Sequence, residues 1–478
     1  MKKLYLILLV LGLAAVLVPG NAGATTYYLN TAKGDDTNTG TAKDAPWKSL
    51  NKINSSSFLP GDKILFKRNQ TWTGRLVIRA SGAKNLPIIL NAYGKGNKPV
   101  IKGDNIHYAV LLDGSSFITI RNLNITNTQG QGLLIYEGQN NQRIKIISCD
   151  IHNSLNNGIT VKDRGKVTIR NCHIYANGKN GICVYNSNDS ANWSDIVGNN
   201  MKLVKNEIND NGRHGVYLAG HHAVVQYNNI YANGSENQSH NMYLIGDNSL
   251  IEGNIFRDAY MIGFRYEGSN MTFRYNFLKS NYKHNLCFWN DFPDVMSHNK
   301  VYYNIFFVEK ISDPSNLTSM AIFVGKAGNA GIFDGIELYN NSIYAADDHA
   351  GGIWLEGCDH IQVKNNLLKI GNCCLIYKDT PAINIISDYN IFYSSEILPI
   401  YAGRKDVDFY DWQALGYDSH SLFIDPLLAG SPPITQEVDF TLAPNSPAIG
   451  AGIDLDLTRD YLGNPVSGNP DIGALQYQ

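Results

Sequence analysis

A short phrase of alternating apolar and polar residues recurs along most of the chain. Its clearest copy reads NGRHGVYLAGHHAVVQYNNIYAN. Val216 and Leu218 in this copy are predicted to point into a core, because successive side chains of a strand point to opposite faces. Tyr217 and Ala219 are then predicted to point outward, and Ile230 returns to the core at a corner after a second strand. The phrase therefore predicts short strands joined by tight turns around one core.

The apolar corner residue recurs at a nearly regular spacing. Along the chain the corner residues are Ile125, Ile151, Ile174, Ile208, Ile230, Ile255, Phe277, Ile305, Ile343, Leu367 and Ile391. Their base period is about 22 to 26 residues with a few insertions, which indicates stacked units that cannot bury their apolar faces alone. Leucine-rich repeats share this period, but their Leu-x-x-Leu-x-Leu skeleton is absent. The Gly, Asn and β-branched residues favour three short strands per turn.

Asparagine precedes the corner residue in most turns. The positions are Asn124, Asn229, Asn254, Asn276, Asn304, Asn366 and Asn390. Asn tolerates left-handed backbone and can hydrogen-bond a neighbouring turn, so stacking predicts an asparagine ladder. The repeats resemble the right-handed β-helix repeat family, which includes the pectate lyases and related polysaccharide-active enzymes. The resemblance implies an all-β, single-stranded right-handed parallel β-helix of about 11 to 13 turns, with an N-terminal capping helix and a C-terminal cap.

The first 24 residues differ from the repeats. Lys2 and Lys3 precede an apolar run and a small-residue Ala-Gly-Ala site, so residues 1–24 are predicted to be a signal peptide. The mature product is then expected to be secreted, periplasmic or cell-surface. Retention of the segment as an uncleaved anchor is the alternative. The run is short for a membrane span, so none is expected after cleavage.

The rest of the chain divides into three predicted regions. Residues 25–105 are expected to form the N-terminal cap and first turns, 106–395 the central repeats, and 396–478 the last turns and C-terminal cap. Pro46 is predicted to start a short amphipathic helix that covers the bottom of the solenoid. Aspartates near the C-terminus are interpreted as turn and cap residues that fold over the last turns; they are Asp425, Asp439, Asp460 and Asp471.

Composition excludes some classes of partner. Charged residues make up 17% of the chain and the net charge is −2, so no basic surface for nucleic acid is expected. The 28 tyrosines suit stacking on sugars, although tyrosine also favours strands. We therefore expect a polysaccharide or glycan partner and a monomeric chain. The seven cysteines leave at least one thiol unpaired. Cys149 and Cys172 occupy equivalent places in successive turns, where buried thiols are favoured over a disulfide.

Candidate chemistry lies on the outward face of the Gly-hydrophobe-x-hydrophobe strands. Aromatic residues occupy this face over several turns and are typical of stacking on successive sugar rings; packing beneath loops is the alternative. The predicted substrate-binding residues are Tyr217, Tyr243, Trp289, Trp354 and Glu356. The same face carries Arg265, Glu267 and Asp291 in neighbouring turns. Strand geometry puts Glu267 and Asp291 roughly 8 Å apart, which fits an inverting glycosidase pair.

Histidines recur just before these strands, at His214, His240 and His284. His240 and His284 are candidate acids or bases beside Arg265. Asn157 and Asn180 occupy the same place in earlier turns, so the histidines equally fit a polar turn ladder.

Three functions remain open on these residues. The resemblance favours β-elimination from an acidic polysaccharide, in which a cation neutralises the uronate and a base removes the neighbouring proton. A glycoside hydrolase of the same fold and a non-catalytic glycan-binding or adhesion protein are the alternatives. Calcium is a possible cofactor, but the central turns lack dense aspartate clusters and calcium takes six to eight oxygen ligands. A metal site is therefore not assigned.

Overall fold

The computed structural model describes residues 23–136, 143–162, 165–185, 200–309, 319–345, 350–371, 376–378, 384–394, 400–402, 405–430 and 436–478. These residues form a right-handed parallel β-helix, which confirms the predicted fold. Most of the predicted signal peptide lies outside the described residues, as do two of the seven cysteines, Cys373 and Cys374, and two adjacent aspartates of an inserted loop, Asp347 and Asp348.

Three parallel sheets, here named A, B and C, follow one another in each turn of the solenoid. Sheet A consists of Thr26–Leu29, Lys63–Lys67, Ile88–Tyr93, Ile118–Arg121, Ile144–Ile147, Val167–Arg170, Lys202–Val204, Val224–Gln226, Leu250–Glu252, Thr272–Arg274, Lys300–Tyr302, Glu337–Tyr339, Ile361–Lys364 and Ile385–Asp388. Sheet B consists of Thr71–Thr73, Val100–Lys102, Asn124–Thr128, Asp150–Ser154, His173–Tyr175, Glu207–Asn209, Asn229–Tyr231, Ile255–Arg257, Phe277–Lys279, Ile305–Val308, Ser342–Ala345, Leu367–Ile370, Ile391–Tyr393 and Leu422–Phe423.

Sheet C is the sheet that carries the outward aromatic residues. It consists of Leu76–Ile78, Tyr108–Asp113, Gln131–Tyr136, Ile159–Lys162, Ile182–Tyr185, Val216–Ala219, His240–Ile245, Ile262–Glu267, His284–Asn290, Ser319–Lys326, Ala350–Leu355, Ile376–Lys378, Ile400–Ala402 and Lys405–Val407. The last strand of this sheet runs antiparallel to its neighbour.

A small side sheet and three short helices complete the described secondary structure. The side sheet consists of Met296–Ser297, Phe333–Asp334 and Cys358–Asp359. The helices are Leu50–Asn54, Phe409–Ala414 and the 3₁₀ turn Glu437–Phe440. No helix in the described ranges is long and apolar enough to cross a membrane.

The core is one continuous stack of apolar side chains from all three sheets. Val216 and Leu218 are fully buried and Ile230 joins them, whereas Tyr217 and Ala219 face outward, as the alternation predicts. Leu218 pairs with Val184 in the preceding turn and Leu244 in the following one, so like positions stack on like. Because each turn repeats this contact, the apolar pattern fixes which face of sheet C is exposed.

Buried asparagines form a ladder at the corner between sheets A and B, but the predicted register is partly wrong. Its described members are Asn206, Asn228, Asn254, Asn276, Asn304, Asn341, Asn366 and Asn390. Each side-chain oxygen accepts hydrogen bonds from the preceding ladder residue, such as Asn276 Oδ1 from Asn254 N at 2.9 Å. Asn124 and Asn229 lie one residue beyond the ladder position and are only half-buried.

Two cysteines continue this corner position in earlier turns. The Cys149 amide donates to Cys172 Sγ at 3.4 Å, and the Cys172 amide donates to Asn206 Oδ1 at 3.0 Å. Both thiols are free and buried, as are those of Cys183 and Cys287. The preferred interpretation, a stack of thiols rather than a disulfide, is confirmed for this pair.

The N-terminal helix is shorter than predicted. It spans Leu50–Asn54, with Ser49 as its N-cap, and Trp47 precedes it in a bridge to Leu29. Leu50 and Ile53 are buried in the main core, and the Asn54 side chain accepts a hydrogen bond from Val77 N at 2.8 Å. The helix therefore covers the edge of the first strand of sheet C. Asp36 accepts hydrogen bonds from Lys48 N and Ser49 N, so it orders the loop that leads into this helix.

The C-terminal segment lies along the outer face of sheet B and is not confined to the last turns. Phe440, Ala474 and Leu475 pack against Phe277 and Ile305 of that sheet. The C-terminal aspartates organise turns in this segment. Asp460 accepts from Asn464 N at 2.7 Å, and Asp471 accepts from Gly450 N at 2.7 Å. The helix Phe409–Ala414, with Phe409 and Trp412 buried, packs at the end of the core.

Candidate functional site

A cavity of about 570 Å³ lies on the outward face of sheet C. It extends over five successive strands, from His240–Ile245 to Ala350–Leu355. About half of its lining residues are aromatic or apolar, four are charged, and the rest are polar and uncharged. The lining residues are Gln238, His240, Met261, Ile262, Arg265, Lys283, His284, Cys287, Trp289, Asp291, Phe323, Trp354 and Glu356.

Strand register explains why these side chains converge. Tyr243, Arg265, Cys287, Phe323 and Trp354 are direct partners in consecutive strands, so they form one outward row across sheet C. Three members of this row beyond Arg265 line the cavity. Register alone therefore gathers residues that are more than 100 positions apart in the sequence.

Two outward positions at the cavity carry little side chain, which leaves room for the neighbouring rings. Cys287 is short, and Gly325 has none. A Cβ on Gly325 would lie 2.6 Å from Phe323 Cε1 and 3.0 Å from Trp289 Cζ3, so the two rings occupy that space instead. Trp289 and Phe323 stack with their ring centroids 6.1 Å apart, and Phe323 also stacks on His284 at 4.6 Å. One wall of the cavity is thus a fixed stack of rings.

Arg265 joins the two predicted carboxylates. Its Nη2 donates to Glu267 Oε1 at 2.6 Å and to Asp291 Oδ2 at 2.7 Å. Both oxygens share one nitrogen, so their separation cannot exceed the sum of these two lengths. The predicted separation of roughly 8 Å is therefore wrong for these oxygens, because the guanidinium draws the two side chains together.

Glu267 lies beneath Arg265 and is inaccessible from the cavity. Its side chain has 0% exposure, while Arg265 has 15% and Asp291 has 47%. Burial raises the pKa of Glu267, although the Arg265 charge opposes this shift. Tyr243 Oη also donates to Glu267 Oε1, and burial followed by the Glu267 charge raises the pKa of Tyr243. Glu267 therefore holds Arg265 and Tyr243 in place.

Asp291 is the accessible carboxylate of this group. Besides Arg265, it accepts a hydrogen bond from Trp289 Nε1 at 2.8 Å, so both of its oxygens are held. Glu356 lines the opposite part of the cavity and is partly exposed. Two carboxylates, Asp291 and Glu356, therefore face one aromatic cavity.

The histidines are buried at the start of the sheet C strands. His214 Nδ1 accepts from His240 N at 3.1 Å, and His284 Nδ1 accepts from Met320 N at 3.3 Å. Burial lowers the pKa of His214 and of His284 to about 3 and lowers that of His240 well below its ordinary value. All three are therefore neutral at ordinary pH. His240 and His284 line the cavity, whereas His214 does not.

The remaining predicted residues divide by position. Trp289, Trp354 and Glu356 line the cavity. Tyr243 packs edge-on against Tyr217 at 5.4 Å, and both stand beside the cavity and not in its lining. Sequence reasoning missed Lys283 as a lining residue; its position directly before His284 in the strand-opening turn was the available signal.

Among the described residues, one group brings metal-ligating atoms close together. It comprises Asp334, Asp359 and His360, at the side sheet and outside the cavity lining. His360 Nδ1 lies 2.8 Å from Asp334 Oδ1, and Asp359 Oδ1 accepts from Asn384 Nδ2 at 2.9 Å. These groups are paired with one another. The cavity lining supplies only two described carboxylates, fewer oxygens than calcium requires.

Comparisons with known proteins agree with the fold. Residues 27–189 match the family described as Pel9A-like, right handed beta helix region, and residues 140–306 match the right handed beta helix region. With the three-sheet solenoid, these matches show that the chain is a right-handed β-helix repeat protein.

One curated relative and several solved structures are similar to parts of the chain. Over 134 residues, the chain is 33% identical to the lacto-N-biosidase of Bifidobacterium longum subsp. longum. This match covers 22% of the chain and 8% of that relative, so the chain spans only a small part of the relative's length.

Among solved structures, the GH136 lacto-N-biosidase from Eubacterium ramulus has a TM-score of 0.50 at 17% identity, over 76% of this chain and 65% of that one. The complex of XylC with xylose has a TM-score of 0.55 at 12% identity, and the match covers 95% of this chain and 99% of that one. The A-module of the Azotobacter vinelandii mannuronan C-5 epimerase AlgE6 has a TM-score of 0.55 at 14% identity. This match covers 72% of this chain and 92% of that one. These similarities show a shared fold.

Proposed function

We propose that the protein binds a glycan in the cavity on sheet C and cleaves it by hydrolysis. The observation that carries this proposal is the pair of accessible carboxylates, Asp291 and Glu356, in one cavity walled by Trp289, Phe323 and Trp354. Aromatic rings stack on sugar faces, and a pair of carboxyl groups is what glycosidic hydrolysis requires. The partial similarity to a lacto-N-biosidase supports the same class of reaction.

Asp291 is assigned as the general base. Its two hydrogen bonds, from Arg265 and Trp289, fix its orientation. In the reaction it takes a proton from water as the water oxygen bonds to the anomeric carbon. Glu356 gives its proton to the leaving glycosidic oxygen as the bond from carbon to that oxygen breaks. The Glu356 side chain is partly exposed and lines the cavity, so its carboxyl is accessible to the substrate.

The spacing of this pair favours inversion at the anomeric carbon. Trp289 pairs with Gly325, and Glu356 N donates to Val324 O, so Glu356 lies two strands from Trp289. Asp291 lies two residues further along. Two strand spacings and two residues separate the Cα atoms by about 12 Å. Side chains starting at that distance can place a water between their carboxyl groups, as inverting enzymes do.

Elimination from a uronate is the second candidate, and one observation favours it. Lys283 lines the cavity and provides an ammonium that could neutralise a carboxylate. Two observations weigh against it. Arg265 is already bound by two carboxylates, and burial keeps the pKa of His284 at about 3, so this imidazole is a weak base. Glycan binding without cleavage is the remaining alternative.

A two-channel assay separates these functions. The full chain is incubated with neutral oligosaccharides, pectate, alginate and glycosaminoglycans while reducing ends and the absorbance of unsaturated uronates are both followed. Hydrolysis releases reducing ends without absorbance, and proton NMR of the first product should show the inverted anomer. Growth of absorbance would establish elimination instead. Binding with neither signal would leave a binding protein.

We also infer that the protein acts outside the cytoplasm as a monomer. The predicted signal peptide and a polymeric glycan substrate both support export. Fractionation of expressing cells, with N-terminal sequencing of the product, tests export and cleavage together.

A further inference from the structure

His240 departs from the pattern that explains the other polar residues of its turn. Along this edge of sheet C each polar side chain accepts the next turn's amide. Asn157 Oδ1 accepts from Asn180 N, Asn180 Oδ1 from His214 N, and His214 Nδ1 from His240 N, each at 3.1 Å. The chain of acceptors then stops, because neither ring nitrogen of His240 reaches hydrogen-bond geometry with a described residue; the adjacent Ser239 backbone is close enough only to oppose the fall in its pKa.

This ring is deeply buried and yet lines the cavity. His240 is 2% exposed, and it stands among Gln238, Met261 and Ile262 at one end of the lining. The neighbouring rings are those of His214, with its centroid at 5.2 Å, and Tyr243 at 5.8 Å. A buried imidazole with both nitrogens unpaired is costly, and a native structure retains such a group where something else satisfies it.

We propose that His240 is a specificity-determining residue that hydrogen-bonds a hydroxyl of an uncharged sugar unit seated at this end of the cavity. This inference rests on the proposed function and adds the kind of sugar recognised. A hydroxyl both donates and accepts, so it matches a neutral imidazole in either tautomer. A carboxylate only accepts, and it would also be placed against the apolar Met261 and Ile262.

The charges around His240 agree with an uncharged imidazole that binds an uncharged sugar. Burial lowers the pKa of His240, the nearby His214 and Arg265 lower it further, and the Ser239 backbone opposes the shift without reversing it. The ring therefore stays uncharged and cannot attract a uronate as a cation. Lys283, further along the lining, is the group that would hold a uronate, so acidic oligosaccharides are the competing ligands.

The test compares His240→Leu with Asn180→Leu in the full chain. Asn180 belongs to the same ladder but does not line the cavity. Thermal unfolding gives Tm, and calorimetric titration with neutral oligosaccharides and with oligouronates gives affinity. His240→Leu should keep or raise Tm, because it removes unpaired polar atoms, and should weaken binding of neutral oligosaccharides about tenfold or more. Asn180→Leu should lower Tm and leave affinity unchanged.

The conservative variant His240→Gln keeps a donor and an acceptor and should restore part of the affinity. A fall in Tm for His240→Leu like that of Asn180→Leu, with unchanged affinity, would overturn the inference. Binding of oligouronates in preference to neutral sugars would also overturn it. Binding that depends on His240 without any cleavage would sink the hydrolase proposal and leave the inference standing. Cleavage and binding that are unchanged in His240→Leu would overturn the inference and leave the hydrolase proposal standing.

Discussion

At the scale of single residues, the site depends on a glycine that breaks the outward pattern of sheet C. Gly325 lies between Trp289 and the Glu356 position, and the rings of Trp289 and Phe323 fill the space where its side chain would be. A repeat rule predicts an ordinary outward residue here. Because Gly325 has no side chain, the rings of Trp289 and Phe323 can stack beside the carboxylates.

Gly325→Ala should therefore damage binding more than folding. Its Cβ would come within 2.6 Å of Phe323, so the ring stack must shift. We expect oligosaccharide affinity to fall about tenfold, since one stacking contact is worth roughly 1 kcal/mol or somewhat more, while Tm changes little. The matched control is Gly328→Ala, whose Cβ would meet nothing within 4 Å. Equal affinities for the two variants would show that the stack does not contact the ligand.

Arg265 is the second residue on which the site depends, because its guanidinium neutralises the buried carboxylate of Glu267. Arg265→Met should lower the free energy of unfolding by about 3–5 kcal/mol, the usual cost of leaving a buried carboxylate unpaired. Adding Glu267→Gln should recover most of that loss, because no charge is then buried. Urea unfolding of the single and double variants measures both effects. Arg265→Met as stable as wild type would mean that Glu267 is not held by this ion pair.

At the scale of structural elements, the corner ladder is a buried polar contribution to stability that recurs from turn to turn. Each ladder asparagine accepts from one turn and donates to others. Asn276 Nδ2, for example, donates to Ile251 O at 3.0 Å and to Asn304 Oδ1 at 3.0 Å. Because these groups are buried, their loss leaves several backbone atoms unpaired.

Asn276→Ala should cost about 3 kcal/mol or more in the free energy of unfolding, from at least two orphaned buried groups. Asn229→Ala is the matched control, because Asn229 is half-buried and its Oδ1 already has no partner among the described residues. Its cost should stay below about 1 kcal/mol. Chemical unfolding compares the two directly, and similar losses would contradict the observed register.

The histidines of sheet C make a pH-dependent contribution. The pKa of His214 is about 3 in the folded chain and 6.5 ordinarily, so between these values the unfolded chain binds a proton that the folded chain does not. Stability therefore rises with pH across this window and is lost as pH falls, by up to about 1.4 kcal/mol per pH unit. His214→Asn, which restores the residue type of Asn180, should reduce the pH dependence of Tm between pH 4 and 6, while His240 and His284 keep the rest of it. An unchanged pH dependence in this variant would contradict the low pKa of His214.

At the scale of the whole molecule, the fold could be predicted because every turn repeats the same burial pattern. The ladder register could not, since paired asparagines are ambiguous. In Asn340-Asn341 the first residue has left-handed backbone and the second enters the ladder, whereas in Asn228-Asn229 the left-handed residue is Tyr227 and Asn228 enters it. Either asparagine suits either role, so only the stacking of turns decides.

Only part of the site could be predicted, because the repeat pattern gives the direction of a side chain but not its contacts with other turns. The outward positions of Arg265, Trp289 and Trp354 follow from alternation within single strands. The closeness of Glu267 and Asp291, the burial of Glu267 and the presence of Asp291 and Glu356 in one cavity depend on side-chain conformations across several turns. The proposed chemistry arises where turns differ from the repeat, and a repeat pattern carries least information there.

The most direct measurement of the central claim is oligosaccharide cleavage and binding by Asp291→Asn and Glu356→Gln beside the wild-type chain. Both variants change one polar group without changing shape. We expect each to lower the rate of reducing-end release by a factor of about 100 or more, with glycan affinity within a few-fold of wild type. Cleavage that survives in both variants, or product that absorbs as an unsaturated uronate, would contradict hydrolysis by this pair.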